Sequence, residues 1–543
     1  MVFARRSTTL LAAIIASCAM VLSLTACTSD NKTVVDGQTT VTSNSAGGVA
    51  VFTPSDGITL NQQTPLNKWA KLVPDLAKAL ADAGFKKGDI NHTTSDSLDK
   101  QSRAIQDFVV DHLSNNTTDD SGIAIAPDNM TLLVAPVVEA DASTRQYGDY
   151  VSQNLSTNDV TDEGATSDGE SSEDDSSKDD SSNTESDSTA SDEQAQAVDR
   201  LVSSLKLAKE SGMHVVLLGN SIEGYKPDAF VKFSDAQTIG KLQAEKMVSK
   251  LKLDKASKDN PKYIEVLLPY TAMDEKGNAN DSTFAQEAFR GIWQVLGSYY
   301  QKGVVESPSG TLDGKSTEND WQAVAYDAAK EGSTAKVLDK RLAKTDGQST
   351  LTRIDGIITM NDYIASEVVK ELDDLGYTGS AADINPQITI SGIVGNITGK
   401  KDLSRDAVPD PIKSPENDNA NDSSSSDDDA DEDTSASDKD RDSQWPLVTG
   451  YGAYVSNIPS IVNGKQWMTG MEDRQTIATD IAQACAKLNK DEALNSMPST
   501  RNSEVGGVKK IPTISEPLLA VSASNLKSAL IDPGYISLAD AGL

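Results

Sequence analysis

Cysteine is nearly absent from this chain. There are three in 543 residues, Cys18, Cys27 and Cys485. Histidine is as scarce: His92, His112 and His214 stand alone, with no spacing that would pair them as metal ligands or as catalytic bases. There is no Gly-x-Ser-x-Gly elbow, no glycine-rich phosphate loop and no Cys-x-x-Cys. A nucleophilic enzyme, a zinc site and a redox centre all lack their usual residues, so no enzymatic activity, no metal and no cofactor is expected. Positive charge is short too: 49 Lys and Arg face 82 Asp and Glu, for a net charge of −33. That balance argues against nucleic acid as a partner. Past residue 24 no apolar run approaches the 20 residues of a membrane span.

The first 27 residues carry the clearest positive feature. Arg5 and Arg6 precede an apolar run from Leu10 to Leu24, followed by Leu24-Thr25-Ala26-Cys27. A basic start, an apolar stretch and small residues before a cysteine describe a bacterial lipoprotein signal. An uncleaved span would have the apolar run but no need for small residues before a cysteine. Residues 1–26 are therefore expected to be removed and Cys27 to be lipidated. That would hold the protein at the outer face of the cytoplasmic membrane. With Cys18 gone and Cys27 acylated, Cys485 can form no intramolecular disulfide. It falls in the helical pattern Ile477-Ile481-Cys485 and reads as a small buried hydrophobe.

Most of the negative charge is local. Residues 157–193 hold 14 acids and one Lys, and 416–442 hold 12 acids, one Lys and one Arg. These two runs account for −23 of the −33. Rich in Ser, Asp and Glu and nearly free of apolar side chains, they are expected to be disordered spacers. Neither has the spacing of a calcium loop. The first follows a strand and precedes a helix, which places it at the lip of any cleft lying at the strand ends.

Elsewhere apolar strand runs alternate with amphipathic helices. Val49–Phe52, Thr131–Ala135 and Val215–Leu218 are strand-like; Trp69, Leu72, Leu76 and Leu80 repeat at helical spacing, as do Ile105, Phe108, Val109 and His112. A second series runs from Tyr263–Leu268 through helices near 283–300 and 321–343, the strand Asp355–Thr359, a helix from about Tyr363 to Leu375, Ile388–Ile390, Pro446–Thr449 and a final helix near 473–489. Alternation of this kind predicts parallel sheets covered on both faces. The expected fold is α/β: two doubly wound lobes joined by a hinge, with two disordered acidic insertions. The expected boundaries are a tether at 27–47, an N-terminal lobe at 48–232 with an insertion at 152–193, and a C-terminal lobe at 233–445 with an insertion at 401–443. A segment 446–470 would return to the N-terminal lobe, and 471–543 would form the helix and tail of the C-terminal lobe. Ligands of such sheets sit where the βα loops converge.

Four stretches carry a resemblance: Phe233-Ser234-Asp235 with Gly240-Lys241-Leu242-Gln243-Ala244, Asp355 to Asp362, Asn463 to Thr469, and the tail from Ile511 through Ser524-Asn525 to Asp532-Pro533-Gly534-Tyr535. In order and together they resemble the type 1 periplasmic sugar-binding proteins, in the xylose-binding and multiple-sugar-binding branch. The resemblance implies a two-lobed solute receptor that hands a small polar ligand, a carbohydrate, to an ABC permease, working as a monomer. It also implies cleft residues: Lys68 and Trp69 where the family has Arg-Trp, Asn220 after a strand, Asn280, Asn361 and Asp362 at the strand-Asn-Asp turn, and Tyr451. The chain departs from the family in having Gly219-Asn220 for Asp-Arg and Gly450-Tyr451-Gly452-Ala453 for Gly-Gln-Asp-Ala. The implied cleft is richer in amides and aromatics than a pentose or hexose site. Trp69 also suits a helix core, and Asn361 also suits a helix cap. The other function compatible with this pattern is a sensor or surface interaction lipoprotein that keeps the binding fold without transport.

Overall fold

The computed structural model describes residues 46–55, 65–115, 129–138, 144–156 except 152, 185–273, 280–343, 350–382 and 443–543. The signal, Cys27, nearly all of the tether, most of the two acidic runs and the strand expected at Ile388–Ile390 lie outside them. From residue 46 onward the described chain belongs to one compact unit. Among the described residues no helix is long and apolar enough to cross a membrane.

The first lobe is built on a seven-stranded sheet. Its strands are β1 (Gly48–Pro54), β2 (Ile90–Ser95), β3 (Met130–Val134), β4 (His214–Leu218), β5 (Ala229–Val231), and a late pair, β11 (Thr500–Val505) and β12 (Val508–Ile514). The spatial order is β11-β12-β5-β4-β3-β1-β2, parallel except for the β11–β12 hairpin. Odd and even positions of each strand face opposite ways. Val49, Val51, Leu133, Val216 and Leu218 pack on helices α1 (Trp69–Asp82) and α8 (Arg474–Leu488). Ala50, Phe52, Leu132, Val134, Val215 and Leu217 pack on α2 (Leu98–Asn115) and α3 (Glu185–Glu210). His112 belongs to this second layer, stacked on Phe108, and is a core side chain.

The second lobe repeats the plan with six strands: β6 (Lys262–Val266), β7 (Val305–Glu306), β8 (Gly356–Ile358), β9 (Leu447–Tyr451), β10 (Met468–Met471) and β13 (Leu519–Ser522). The order is β7-β6-β8-β9-β10-β13, with only β13 antiparallel. Its helices include α4 (Ala236–Leu251), α5 (Thr283–Lys302), α6 (Ser333–Arg341) and α7 (Asp362–Leu375). Helices α4 and α5 pack with their backbones in contact. A Cβ on Gly240 would lie 2.2 Å from the Ala288 carbonyl oxygen, and one on Gly291 2.0 Å from that of Gln237.

Four expectations are corrected here. Residues 446–470 do not return to the first lobe: β9 lies between β8 and β10 in the second sheet. The return is later, for α8 and the β11–β12 hairpin belong to the first lobe, and only 519–543 rejoin the second. The reason is that each crossing is a few residues long and carries no distinctive turn chemistry. The single helix expected over 321–343 is broken into a turn at Trp321–Val324 and helix α6, because Ala325–Tyr326 pairs as a strand with Leu268–Pro269. Helix α3 starts at Glu185, so it extends into the first acidic run.

Candidate functional site

The chain crosses between lobes three times, at about 232–235, 472–473 and 515–518. With two mostly parallel sheets and three crossings, the architecture is a two-lobed α/β one. Side chains lock the crossings to one another. The Glu472 carboxylate accepts the Ser234 backbone N–H at 2.6 Å and the Tyr451 hydroxyl at 3.4 Å, and the hydroxyls of Ser234 and Tyr451 are hydrogen-bonded. Burial pushes the Glu472 carboxyl up to about 7, and it pushes the Tyr451 phenol far above its ordinary value. Beside this lock lies a cavity of about 520 Å³ lined by Lys232, Ser234, Arg501, Glu516 and Leu518, among others.

The candidate ligand residues lie at the carboxyl ends of strands in both lobes. Strand β8 runs on into Thr359-Met360-Asn361, where Met360 holds a left-handed backbone at φ +67° while fully buried. A bulky residue in that region is strained and needs its surroundings to hold it. The Gln243 amide does so, donating to the Met360 carbonyl at 3.0 Å. The turn aims Asn361 at the first lobe. Its Oδ1 caps α7 by accepting the Ile364 N–H at 2.9 Å, and its Nδ2 donates to the Gln146 Oε1 at 3.0 Å. In the first lobe Lys68 and Trp69 open α1, and Asn220 follows β4.

Each of these groups already has a partner, and several of the partners come from residues 144–153, the first part of the loop leaving β3. Lys68 Nζ pairs with Asp149 at 2.7 Å, and the other Asp149 oxygen accepts the Trp69 N–H at 3.1 Å. Asn220 donates to the Pro136 carbonyl at 2.9 Å and accepts the Gln153 N–H at 3.0 Å. Trp69 meets Tyr150 edge-on at 5.1 Å and Phe233 at 5.7 Å, and Tyr150 stacks on Phe233 at 4.8 Å. Tyr147 enters the core of the second lobe, with its ring 4.6 Å from Phe284 and 6.3 Å from Tyr451. The Tyr454 hydroxyl donates to the Gln146 carbonyl at 2.6 Å.

The remaining candidates are placed differently. Asp362 is turned into the second lobe, where its carboxylate accepts from Gln466, Thr469 and the Tyr454 N–H at 2.7, 2.8 and 2.9 Å. Burial raises it to about 6 against the pull of those bonds. Tyr451, expected at the cleft, belongs to the hinge lock. Asn280 is half-buried on a loop of the second lobe, donating to the Thr271 carbonyl at 2.8 Å. Lys68, Trp69, Asn220 and Asn361 are thus brought together around one segment, while Asp362 and Tyr451 support the scaffold. Residues 144–153 have no periodic pattern that would single them out. Their one signal is Tyr147, Tyr150 and Val151 in an otherwise polar stretch.

No family model matches this chain, and no curated protein does. Solved structures with related folds are similar to it at low identity. An ABC transporter solute-binding protein from Clostridium phytofermentans with bound β-D-glucose is 17% identical, over 91% of this chain and 99% of its own, with a TM-score of 0.44. A carbohydrate transporter solute-binding protein from Chloroflexus aurantiacus in complex with D-glucose is 17% identical over 92% and 98%, with a TM-score of 0.43. A sugar ABC transporter protein from Actinomyces odontolyticus is 10% identical over 89% and 97%, also at 0.43.

Proposed function

We propose that this chain is an extracytoplasmic solute-binding lipoprotein, tethered through Cys27, that captures a small polar ligand, a carbohydrate, for an ABC permease. One observation carries the reading. Lys68 and Asn220 from one lobe and Asn361 from the other all hydrogen-bond to the same segment, at Asp149, Gln153 and Gln146, next to the aromatic group of Trp69, Tyr150 and Phe233. Amides and an ammonium pair hydroxyls, and aromatic faces cover the CH faces of a sugar ring. Asn280, at the edge of the second lobe, would join them when a solute is bound.

The test is thermal unfolding of the mature, unlipidated chain against monosaccharides, oligosaccharides and nucleosides. A ligand at 100 times its Kd adds about 2.7 kcal/mol of stability, so Tm should rise by a few degrees. Asn361→Ala should remove that rise. A panel that moves Tm in neither the wild type nor any variant with a freed cleft would sink the reading. Replacing Cys27 by Ser should release the protein from the membrane fraction; retention there would contradict the lipid anchor.

A second reading is favoured by the contacts of 144–153. With the gap filled by the chain's own side chains, the fold would serve as a sensor or surface interaction protein that carries no solute. Absence of any sugar response, with the gap emptied, is the result that would select it.

A further inference from the structure

We propose that residues 144–153 are a built-in occupant of the interlobe site, holding the clamshell closed and competing with whatever solute enters it. The segment binds both lobes by the means a polar aromatic ligand would use. Gln146 offers its side-chain oxygen to Asn361 and its backbone oxygen to Tyr454, both in the second lobe. Tyr147 is 1% exposed and lies among second-lobe side chains, against Phe284. Three residues on, Tyr150 is equally buried, but among first-lobe side chains, and its hydroxyl donates to the Lys68 carbonyl at 2.5 Å. Asp149 neutralises Lys68, the one cation among the candidate ligand residues. Separating the lobes would therefore draw Tyr147 out of one core or Tyr150 out of the other.

The path of the segment is specific. Gly148 has φ +96°, and a Cβ there would lie 2.5 Å from the Asn67 carbonyl oxygen. That oxygen also accepts the Asp149 N–H at 2.8 Å, so the turn is pressed onto the loop before α1. Only glycine fits both the backbone angle and the close approach. At its far end the segment is pinned where Asn154–Leu155 pairs with Ser221–Ile222 beside Asn220.

Closure by an internal occupant has a defined consequence for binding. A solute meets only the fraction of molecules whose segment is out, and its apparent Kd rises as the inverse of that fraction. An occupant that is out in about one molecule in a hundred weakens apparent affinity about 100-fold. The solute half of this inference rests on the function proposed above; the closure half does not.

Small-angle scattering and a sugar-panel thermal shift on the full mature chain separate the two. Wild type without added solute should scatter as the closed form. Tyr147→Ser, Gly148→Ala and the milder Gln146→Ala should each raise the radius of gyration, and panel sugars should bind them at least 10-fold more tightly than wild type. Gln146→Ala keeps both aromatic anchors, so it covers the case in which the other two fail to fold. Opening with a gain in sugar affinity supports the inference whole. Opening with no sugar response supports the internal lock and overturns the carbohydrate reading. Scattering unchanged in the folded variants, or a wild type already open, overturns the lock.

Discussion

Glu472 shows how much one side chain carries at the hinge. It is 1% exposed, and its carboxylate ties the first crossing to the second through the Ser234 N–H. Burial outweighs those hydrogen bonds and lifts the group from 4.5 to about 7. The folded state therefore holds its proton more tightly than the unfolded chain does. The stability this brings is fully present below about pH 4.5 and is lost as pH rises through about 7. A pKa that differs by one between folded and unfolded chain is worth about 1.4 kcal/mol. Glu472→Gln, neutral at every pH and of the same shape, should match wild type near pH 4.5. At pH 8 it should exceed wild type by up to about 3 kcal/mol. Urea unfolding at several pH values measures this, and parallel curves for the two proteins would refute it. Asp362 works differently, since three donors depend on it. Asp362→Ala takes the acceptor from one Gln466 N–H, the Thr469 hydroxyl and the Tyr454 N–H inside the second lobe and should cost about 3–9 kcal/mol in the same unfolding measurement, at about 1–3 kcal/mol per orphaned donor. A loss under about 1 kcal/mol would mean those donors find other acceptors.

Among the strands and helices, what was legible follows from burial. Strands β1, β3 and β4 are covered on both faces and read as near-continuous apolar runs such as Met130-Thr131-Leu132-Leu133-Val134. Helices α1, α2, α5 and α7 show their stripes because each buries one face. Strand β2 is hidden in sequence because it is an edge strand, Ile90-Asn91-His92-Thr93-Thr94-Ser95, with four exposed positions in its middle. The β11–β12 hairpin is hidden because polar, exposed residues such as Arg501, Asn502, Lys509 and Lys510 break its apolar alternation. The candidate site was half legible. Asn361 follows a strand and starts a helix, a position that can be read from the chain. That Gln146 faces it depends on a contact spanning 215 residues, made by a loop with no periodicity. Tyr451 and Asp362 were placed by position at strand ends, yet side-chain direction takes them away from the gap: β9 turns its Tyr451 toward Ser234, and Gln466 and Thr469 draw Asp362 inward.

For the protein as a unit, charge and chain length are separable from the fold. Between Leu155, paired with Ile222, and Glu185, the start of α3, runs a stretch in which 157–184 holds ten acids and one Lys. Both flanking residues are anchored in the first lobe, so folding must bring the ends of this stretch together. Halving a flexible loop lowers its closure cost by about 0.6 kcal/mol. Replacing 157–184 with 14 residues of Gly and Ser should therefore leave the fold intact and raise stability slightly, by less than about 1 kcal/mol. It also removes nine net negative charges from a protein at −33. Self-repulsion falls with that charge and is screened by salt. Wild type should consequently gain more in Tm than the replacement variant on going from low salt to 0.5 M, a concentration at which the Debye length is about 4 Å. Helix α3 begins at Glu185, so extending the replacement to residue 193 would cut into it and should destabilise where the shorter replacement does not. Loss of folding with the shorter replacement would show that 157–184 contributes structure, and equal salt responses would show that its charge does not reach the folded lobes.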